Sequence, residues 1–208
     1  MNLLTIDRAR GVAWQTDLTP SCYYGPAYFD RYRKMDATPM GAALTLLRLD
    51  LVERHFPPDG GKLIDVGIGG GAFLRAARRR GIPARGHDVN PMAIDWLLLR
   101  QLLGDPYQDP VDAHTLWDVF EHLPHPDAIL AAVRPGKLLF LSLPICPDLN
   151  ELRTWKHYRP GEHLWYWTRA GFASWIQDRG FSVLECNDLE TRDGREDILS
   201  YALQKSRR

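Results

Sequence analysis

The stretch Lys62-Leu63-Ile64-Asp65-Val66-Gly67-Ile68-Gly69-Gly70-Gly71-Ala72 constrains the fold more than any other part of the chain. Leu63, Ile64 and Val66 form a short apolar run suited to a strand buried on both faces. A glycine cluster follows. Phe73 to Arg80 then offers strong helix formers with no breaker before Gly81. Strand, glycine turn and helix in this order build a nucleotide-cofactor site: glycine lets the backbone bend and approach a ligand, and the helix start presents unpaired N–H groups. Gly67-x-Gly69-x-x-Ala72, with Asp88 downstream, satisfies the dinucleotide pattern G-x-G-x-x-[G/A], so a nicotinamide-type cofactor is one reading.

Asp65 adds a second reading, because it extends the motif to Asp-x-Gly-x-Gly-x-Gly. In this form the stretch resembles motif I of the class I S-adenosylmethionine-dependent methyltransferases. A carboxylate there suits a cofactor with a cationic amino acid end better than one carrying a pyrophosphate. The resemblance implies that Asp65, Gly67, Gly69, Gly71, Asp88 and Val89 hold S-adenosyl-L-methionine, with Trp117 bordering the adenine. Asp88 ends a short second strand one βα unit after the glycines, where a ribose diol is held in such folds, and Asn90-Pro91 reads as the cap and first position of the next helix.

The remaining chain supports a single α/β domain. Met40 to His55 has leucines at helical spacing, and Pro57-Pro58-Asp59-Gly60-Gly61 stops it. Residues 1–56 read as an N-terminal helical or lid region and 57–208 as a Rossmann-like core. Within the former, Tyr24, Tyr28 and Tyr32 fall on one face if helical, either as a packing stripe or as a lid whose rings help hold a sulfonium. Asp105 to Asp112 is rich in Asp and Pro, so a third strand there is short, irregular or absent. Ala113–Trp117 and Lys137–Leu143 read as strands, Asp127–Val133 as a helix, Ile145–Trp167 as irregular, and Thr168 as the cap of a helix reaching Arg179. Phe181–Cys186 and Ile198–Leu203, joined through Asp193-Gly194, read as a terminal antiparallel hairpin. Repeated βα units ending this way resemble the seven-stranded, mostly parallel methyltransferase sheet with helices on both faces. An oxidoreductase would continue with further βα units, for which this chain has no room.

A second constellation lies at Asp118-x-x-Glu121-His122, which on a helix would place two carboxylates and an imidazole on one face. Together with Glu162-His163-Leu164-Trp165-Tyr166-Trp167-Thr168, it resembles the E-x-x-E-H plus [D/E]-H…W-T arrangement of small-RNA 3′-terminal 2′-O-methyltransferases. Its first part is also similar to the ubiquinone-biosynthesis O-methyltransferases. Carried over by position, that resemblance implies a divalent cation on Asp118, Glu121, His122 and His163, with Asp118 one methylene shorter than the family's Glu. Such a donor set favours Mn, Fe, Co or Zn over Mg. Without a cation, His122 or His163 can serve as general base beside Glu121. The acceptor implied is a hydroxyl of a small molecule or an RNA end, and Lys156, His157 and Arg159 in the intervening loop are candidates to meet its phosphate or carboxylate.

Acidic and basic residues balance at 26 each, so no overall field draws in nucleic acid or a membrane, although a local basic patch such as Arg78-Arg79-Arg80 is allowed. Cys22, Cys146 and Cys186 are scattered and odd in number, which predicts reduced thiols and a cytoplasmic setting. No apolar run is long enough to suggest a membrane span.

Overall fold

A computed structural model describes residues 4–17, 25–56 and 61–207 of the chain. Tyr24 and Cys22 lie outside the described residues, as does the Pro57–Gly61 stop apart from Gly61. The chain opens with a hairpin, β1 (Leu4–Asp7) and β2 (Val12–Gln15), followed by helices α1 (Pro26–Asp36) and α2 (Pro39–His55). Thr38 caps α2 by accepting from the Gly41 N–H at 3.1 Å, and Pro39 stands at the first turn where its missing N–H costs nothing. Then come β3 (Leu63–Val66), α3 (Ala72–Arg79), β4 (Ala84–His87), α4 (Pro91–Leu98) and β5 (Ala113–Trp117). A short 3-10 turn, Phe120–His122, precedes α5 (Pro126–Ala132) and β6 (Leu138–Pro144). The chain ends with β7 (Trp165–Trp167), α6 (Arg169–Gln177), β8 (Phe181–Asn187), α7 (Leu189–Arg192) and β9 (Ile198–Lys205).

The main sheet runs β4-β3-β5-β6-β9-β8, with the first four strands parallel and β9 antiparallel to both its neighbours. It is the expected Rossmann-like sheet with its antiparallel hairpin, but it has six strands rather than seven. The expected third strand is reduced to one parallel bridge between Leu103 and Gly86. Its extension is cut off because Asp105 folds the chain into a turn, accepting the Tyr107 N–H on its side chain and the Asp109 N–H on its carbonyl, while Pro106 and Pro110 lack ladder donors. No helix follows before β5. Every residue of β3, β5 and β6 is buried, as continuous apolar runs between two helical layers should be. One face packs Phe73, Leu74 and Leu97 from α3 and α4 with α2; the other packs Ile129, Phe172 and Ile176 from α5 and α6.

A second sheet, β1-β2-β7, was not legible in the sequence, which pointed to helix in the first region and irregular chain in the second. Its strands have three or four residues, too few for alternation to register. Beside its backbone ladders, Trp14 of β2 stacks across the strands on Trp165 of β7 at 6.0 Å, and Trp165 stacks along β7 on Trp167 at 5.9 Å. This sheet clamps the segment before α6 and fixes where His163 emerges. Among the described residues no helix is long and apolar enough to cross a membrane.

Candidate active site

The glycine loop leaves β3 at its carboxyl end and enters α3. Gly67, Gly69 and Gly71 all take positive φ, of 73°, 55° and 79°. At Gly67 a Cβ would also lie 2.4 Å from the Val119 Cγ2 atom, so both conformation and space require glycine. Asp65 is buried beneath the loop and accepts the Thr115 hydroxyl at 2.8 Å. Burial pushes its carboxyl up to about 8, helped by the negative charges of Asp88 and Asp36, against the opposing pull of Thr115 and Arg48. Asp88, at the end of β4, accepts the Asn90 N–H at 2.8 Å and is likewise raised by burial. Three carboxyls therefore converge on one backbone cradle, an environment that favours a cationic ligand.

Helix α1 lies across this loop. Tyr32 approaches Gly69, its Cδ1 atom 3.4 Å from where a Cβ would stand, and Gly70 fits only because it has no Cβ to strike the Arg33 backbone. Asp36 accepts the Ala72 N–H at 3.1 Å, satisfying one of the orphan donors at the start of α3. Tyr28 donates to Tyr32 at 3.2 Å, and the Tyr32 hydroxyl, raised by burial, also feels the charges of Asp118 and Glu162. Tyr32 thus covers the glycine loop at Gly69. Val89 is exposed beside Asp88. Trp117 packs into the core against Phe73, with the Arg48 guanidinium 5.3 Å over its ring. Leu103, Gly104, Asp105 and Tyr107, which the sequence reading passed over, line a groove of about 460 Å³ with Asp88, where the third strand is missing.

The second constellation departs from the expected arrangement. Asp118, Glu121 and His122 do not share a helical face, because β5 ends in a left-handed residue, Asp118 at φ 56°, and only a 3-10 turn follows. The Asp118 carboxylate is taken by Arg48 of α2 at 2.7 Å and by Arg195 at 2.8 Å. Burial alone would raise its pKa, but the two guanidinium charges outweigh that and hold it well below the usual carboxylate range. The same arginines grip the buried Glu190, Arg48 Nε at 2.8 Å and Arg195 Nη1 at 2.5 Å. Asp118 is thereby removed from the four-donor set inferred from the sequence. Neither arginine nor Glu190 carries a local sequence signal, since they come from α2, the α7–β9 loop and α7.

Glu121, His122 and His163 do come together, with one ligand atom from each lying within 4.8 Å of the others. His122 Nδ1 donates to the Glu162 carbonyl at 2.8 Å, which leaves its Nε2 lone pair 3.7 Å from Glu121 Oε1. The His163 ring stands edge-on to it at 4.7 Å. Glu121 Oε2 and His163 Nδ1 are buried without a hydrogen-bond partner. Burial and the nearby Asp118 charge raise the Glu121 pKa well above its ordinary value; burial lowers His122 against the opposing pull of Glu162 and Asp118, and burial with the neighbouring His122, Arg159 and His157 pushes His163 down to about 2. The His122–Glu121 pair is accordingly neutral rather than an ion pair. Three residues with ligand atoms this close, two of them with a buried atom left unpartnered, form a donor set that a divalent cation fits. The loop cations are committed elsewhere: Lys156 to Glu196 at 2.6 Å and Arg159 to Glu162 at 3.6 Å.

A family model described as a methyltransferase domain matches residues 35–186. The ubiquinone biosynthesis O-methyltransferase of Xylella fastidiosa is 31% identical over 48% of this chain and 48% of its own length; that of Chromobacterium violaceum is 30% identical over 46% and 50%. The chain thus spans about half the length of the curated relatives it matches. Among solved structures, magnesium protoporphyrin IX methyltransferase from Synechocystis with bound S-adenosylhomocysteine superposes with a TM-score of 0.66 at 16% identity, covering 88% of this chain and 97% of that one. A Haloferax volcanii protein described as a putative methyltransferase, in complex with the Trm112 activator, gives 0.64 at 17% identity, over 86% and 96%.

Proposed function

Because the chain belongs to the class I S-adenosylmethionine-dependent methyltransferase superfamily and takes S-adenosylmethionine as cofactor, we propose that it transfers the methyl group to a hydroxyl presented to Glu121, His122 and His163. The observation that carries this reading is the cluster of Glu121, His122 and His163, with one ligand atom of each within 4.8 Å of the others, in which Glu121 Oε2 and His163 Nδ1 are buried without a hydrogen-bond partner. The names of the curated relatives, O-methyltransferases, support oxygen over nitrogen as the nucleophile. The nicotinamide alternative falls away with the family match.

Asp65, Gly67, Gly69, Gly71 and Asp88 hold the cofactor, Asp88 facing the ribose and the buried carboxyls favouring the cationic end. When bound, S-adenosylmethionine supplies an electrophilic methyl on a sulfonium, so the protein's task is to align an oxygen lone pair and remove its proton. The Glu162 carbonyl fixes the His122 tautomer and leaves Nε2 as its one free lone pair, which takes the hydroxyl proton where no cation occupies it. A divalent cation held by Glu121, His122 and His163 would orient the hydroxyl and lower its pKa. Tyr32 closes over Gly69. The acceptor is a small molecule or an RNA end.

Radiolabelled methyl transfer into size-fractionated extract, with nuclease-treated and chelator-treated arms, tests the proposal. Base-stable label in a small-molecule or RNA fraction, lost with chelator and restored by Mn or Co, is the expected outcome. Label confined to amine products would sink the hydroxyl reading. Undiminished transfer in the chelator arm leaves His122 as the base and removes the cation.

A further inference from the structure

The two carboxylates that end β5 have opposite surroundings. Asp118 Oδ2 is held by Arg48 Nη2 at 2.7 Å and Arg195 Nη1 at 2.8 Å, and Ser142 donates to Oδ1 at 3.4 Å. Glu190 closes the group, accepting from both arginines and from the Ser200 hydroxyl at 3.3 Å. Two guanidiniums and two carboxylates form a buried quartet with no net charge. Glu121, three residues on, has no guanidinium bonded to it: its Oε1 lies 3.7 Å from His122 Nε2 and its Oε2 is buried with no partner. The left-handed backbone at Asp118, a conformation Asp tolerates better than most non-glycine residues, turns its side chain toward α2 and the α7–β9 loop.

We infer that Arg48 and Arg195 act as a clamp that determines the coordination of the cation site, withholding Asp118 so that the ion is bound by Glu121, His122 and His163 alone. This rests on the cation reading of the site given above. Arg195 is the adjustable half of the clamp. It sits on the loop 193–197, whose Asp197 accepts from the Trp155 indole at 2.7 Å and whose Glu196 pairs with Lys156 at 2.6 Å, so the clamp is tied to the loop that delivers His163. Arg48, by contrast, is rooted in the middle of α2 and buried over Trp117. With three protein donors an ion would keep open positions for an acceptor's oxygens; a fourth donor, the Asp118 carboxylate, would fill one and reduce the charge that polarises the hydroxyl.

The test is titration of Mn(II) and Co(II) into the full chain, followed by calorimetry and by the visible absorption of Co(II), with thermal melts confirming that each variant is folded. Glu121→Gln and His163→Ala are expected to weaken binding at least about tenfold, while Asp118→Asn stays within about threefold of wild type. Arg195→Met, which removes one of the two guanidiniums, is expected to tighten Mn(II) binding about tenfold and to weaken the Co(II) absorption as coordination number rises. That gain should vanish in the Arg195→Met/Asp118→Asn double variant, and Arg195→Lys should restore wild-type behaviour. Asp118→Asn binding as weakly as Glu121→Gln would overturn the clamp and restore a four-donor site, leaving the cation reading intact. Wild-type affinity in Arg195→Met would also overturn it. Absence of heat and colour in every protein, wild type included, would overturn the cation reading and the clamp together.

Discussion

The two ends of the cleft are built in different ways. The cofactor end comes almost entirely from one contiguous stretch, Asp65 to Asn90, and its specificity lies in backbone: three positive-φ glycines, a helix start and two strand-end carboxyls. The acceptor end is assembled from pieces far apart in sequence. Glu121 and His122 come from a turn after β5, His163 from the approach to β7, and the arginines that decide the state of Asp118 from α2 and the α7–β9 loop. A backbone cradle is specified by the residues that form it. A side-chain site is specified by whichever distant partner each side chain finds, and Asp118 and Glu121 show how far that can diverge over one turn.

The sharpest way to separate the ends is to remove one acceptor-end side chain and leave the other end untouched. His122→Ala is expected to lower the methyl-transfer rate about 10³-fold if its Nε2 takes the proton, with calorimetric affinity for S-adenosylhomocysteine within about threefold of wild type. Parallel losses of cofactor binding would mean that the two ends are one site. The converse change is Gly67→Ala, which forces an alanine to φ 73° and brings its Cβ against Val119. Val119 is β-branched and stiff, so the expected penalty is about 2 kcal/mol in thermal or urea unfolding, together with cofactor affinity reduced about tenfold or more. Unchanged cofactor affinity would show that the loop does not need its present shape.

Two side chains of the acceptor end should respond oppositely to pH. Glu121 has a folded-state pKa above its ordinary 4.5, so its contribution to stability is present below that value and is lost as pH rises through the folded pKa. Glu121→Gln is therefore expected to be as stable as wild type in acid and more stable, by about 1 kcal/mol or more, near pH 8. His163, held near 2 when folded, works the other way: below 6.5 the unfolded chain takes up a proton that the folded chain refuses, so stability falls as pH drops from there. His163→Gln should flatten the acid limb by about one proton. Urea unfolding at several pH values reads both slopes. Equal pH dependence in wild type and both variants would show that the pair carries ordinary pKa values.

How much of this was visible in the sequence follows the same division. The β3–loop–α3 unit, Asp88 and the Asn90 cap were legible because each is a local pattern with a local cause. The terminal hairpin was legible too, although α7 intervenes in its connection. The seventh strand failed for a local reason that the Asp/Pro content of 105–112 already hinted at. The small sheet of β1, β2 and β7 failed because its β2–β7 ladder and the stacking of Trp14 on Trp165 join segments about 150 residues apart, which no window of sequence contains. The fate of Asp118 was hidden for the same cause. Its spacing to Glu121 suggested a shared helical face, and only the tertiary position of Arg48 and Arg195 shows that it faces away.

Asp36 is the smallest test and the one that touches both ends. It is the single cofactor-end carboxyl that does not come from the contiguous stretch; it belongs to α1 and caps α3 from outside by accepting the Ala72 N–H. Cap losses at helix starts cost about 1 kcal/mol, and Asp36→Ala should lower unfolding stability by about that amount. If α1 is also the element that holds Tyr32 over Gly69, the variant should bind S-adenosylhomocysteine about threefold to tenfold more weakly, with a larger share of the change in dissociation rate. Asp36→Asn distinguishes cap from charge, because its side-chain oxygen keeps the acceptor for Ala72 while removing one of the three carboxyls around the cradle. Stability preserved with weakened cofactor binding in Asp36→Asn would assign Asp36 to the electrostatics of the cationic end. Stability and binding both preserved would assign it to the cap, and the boundary between the two ends would then run along α1.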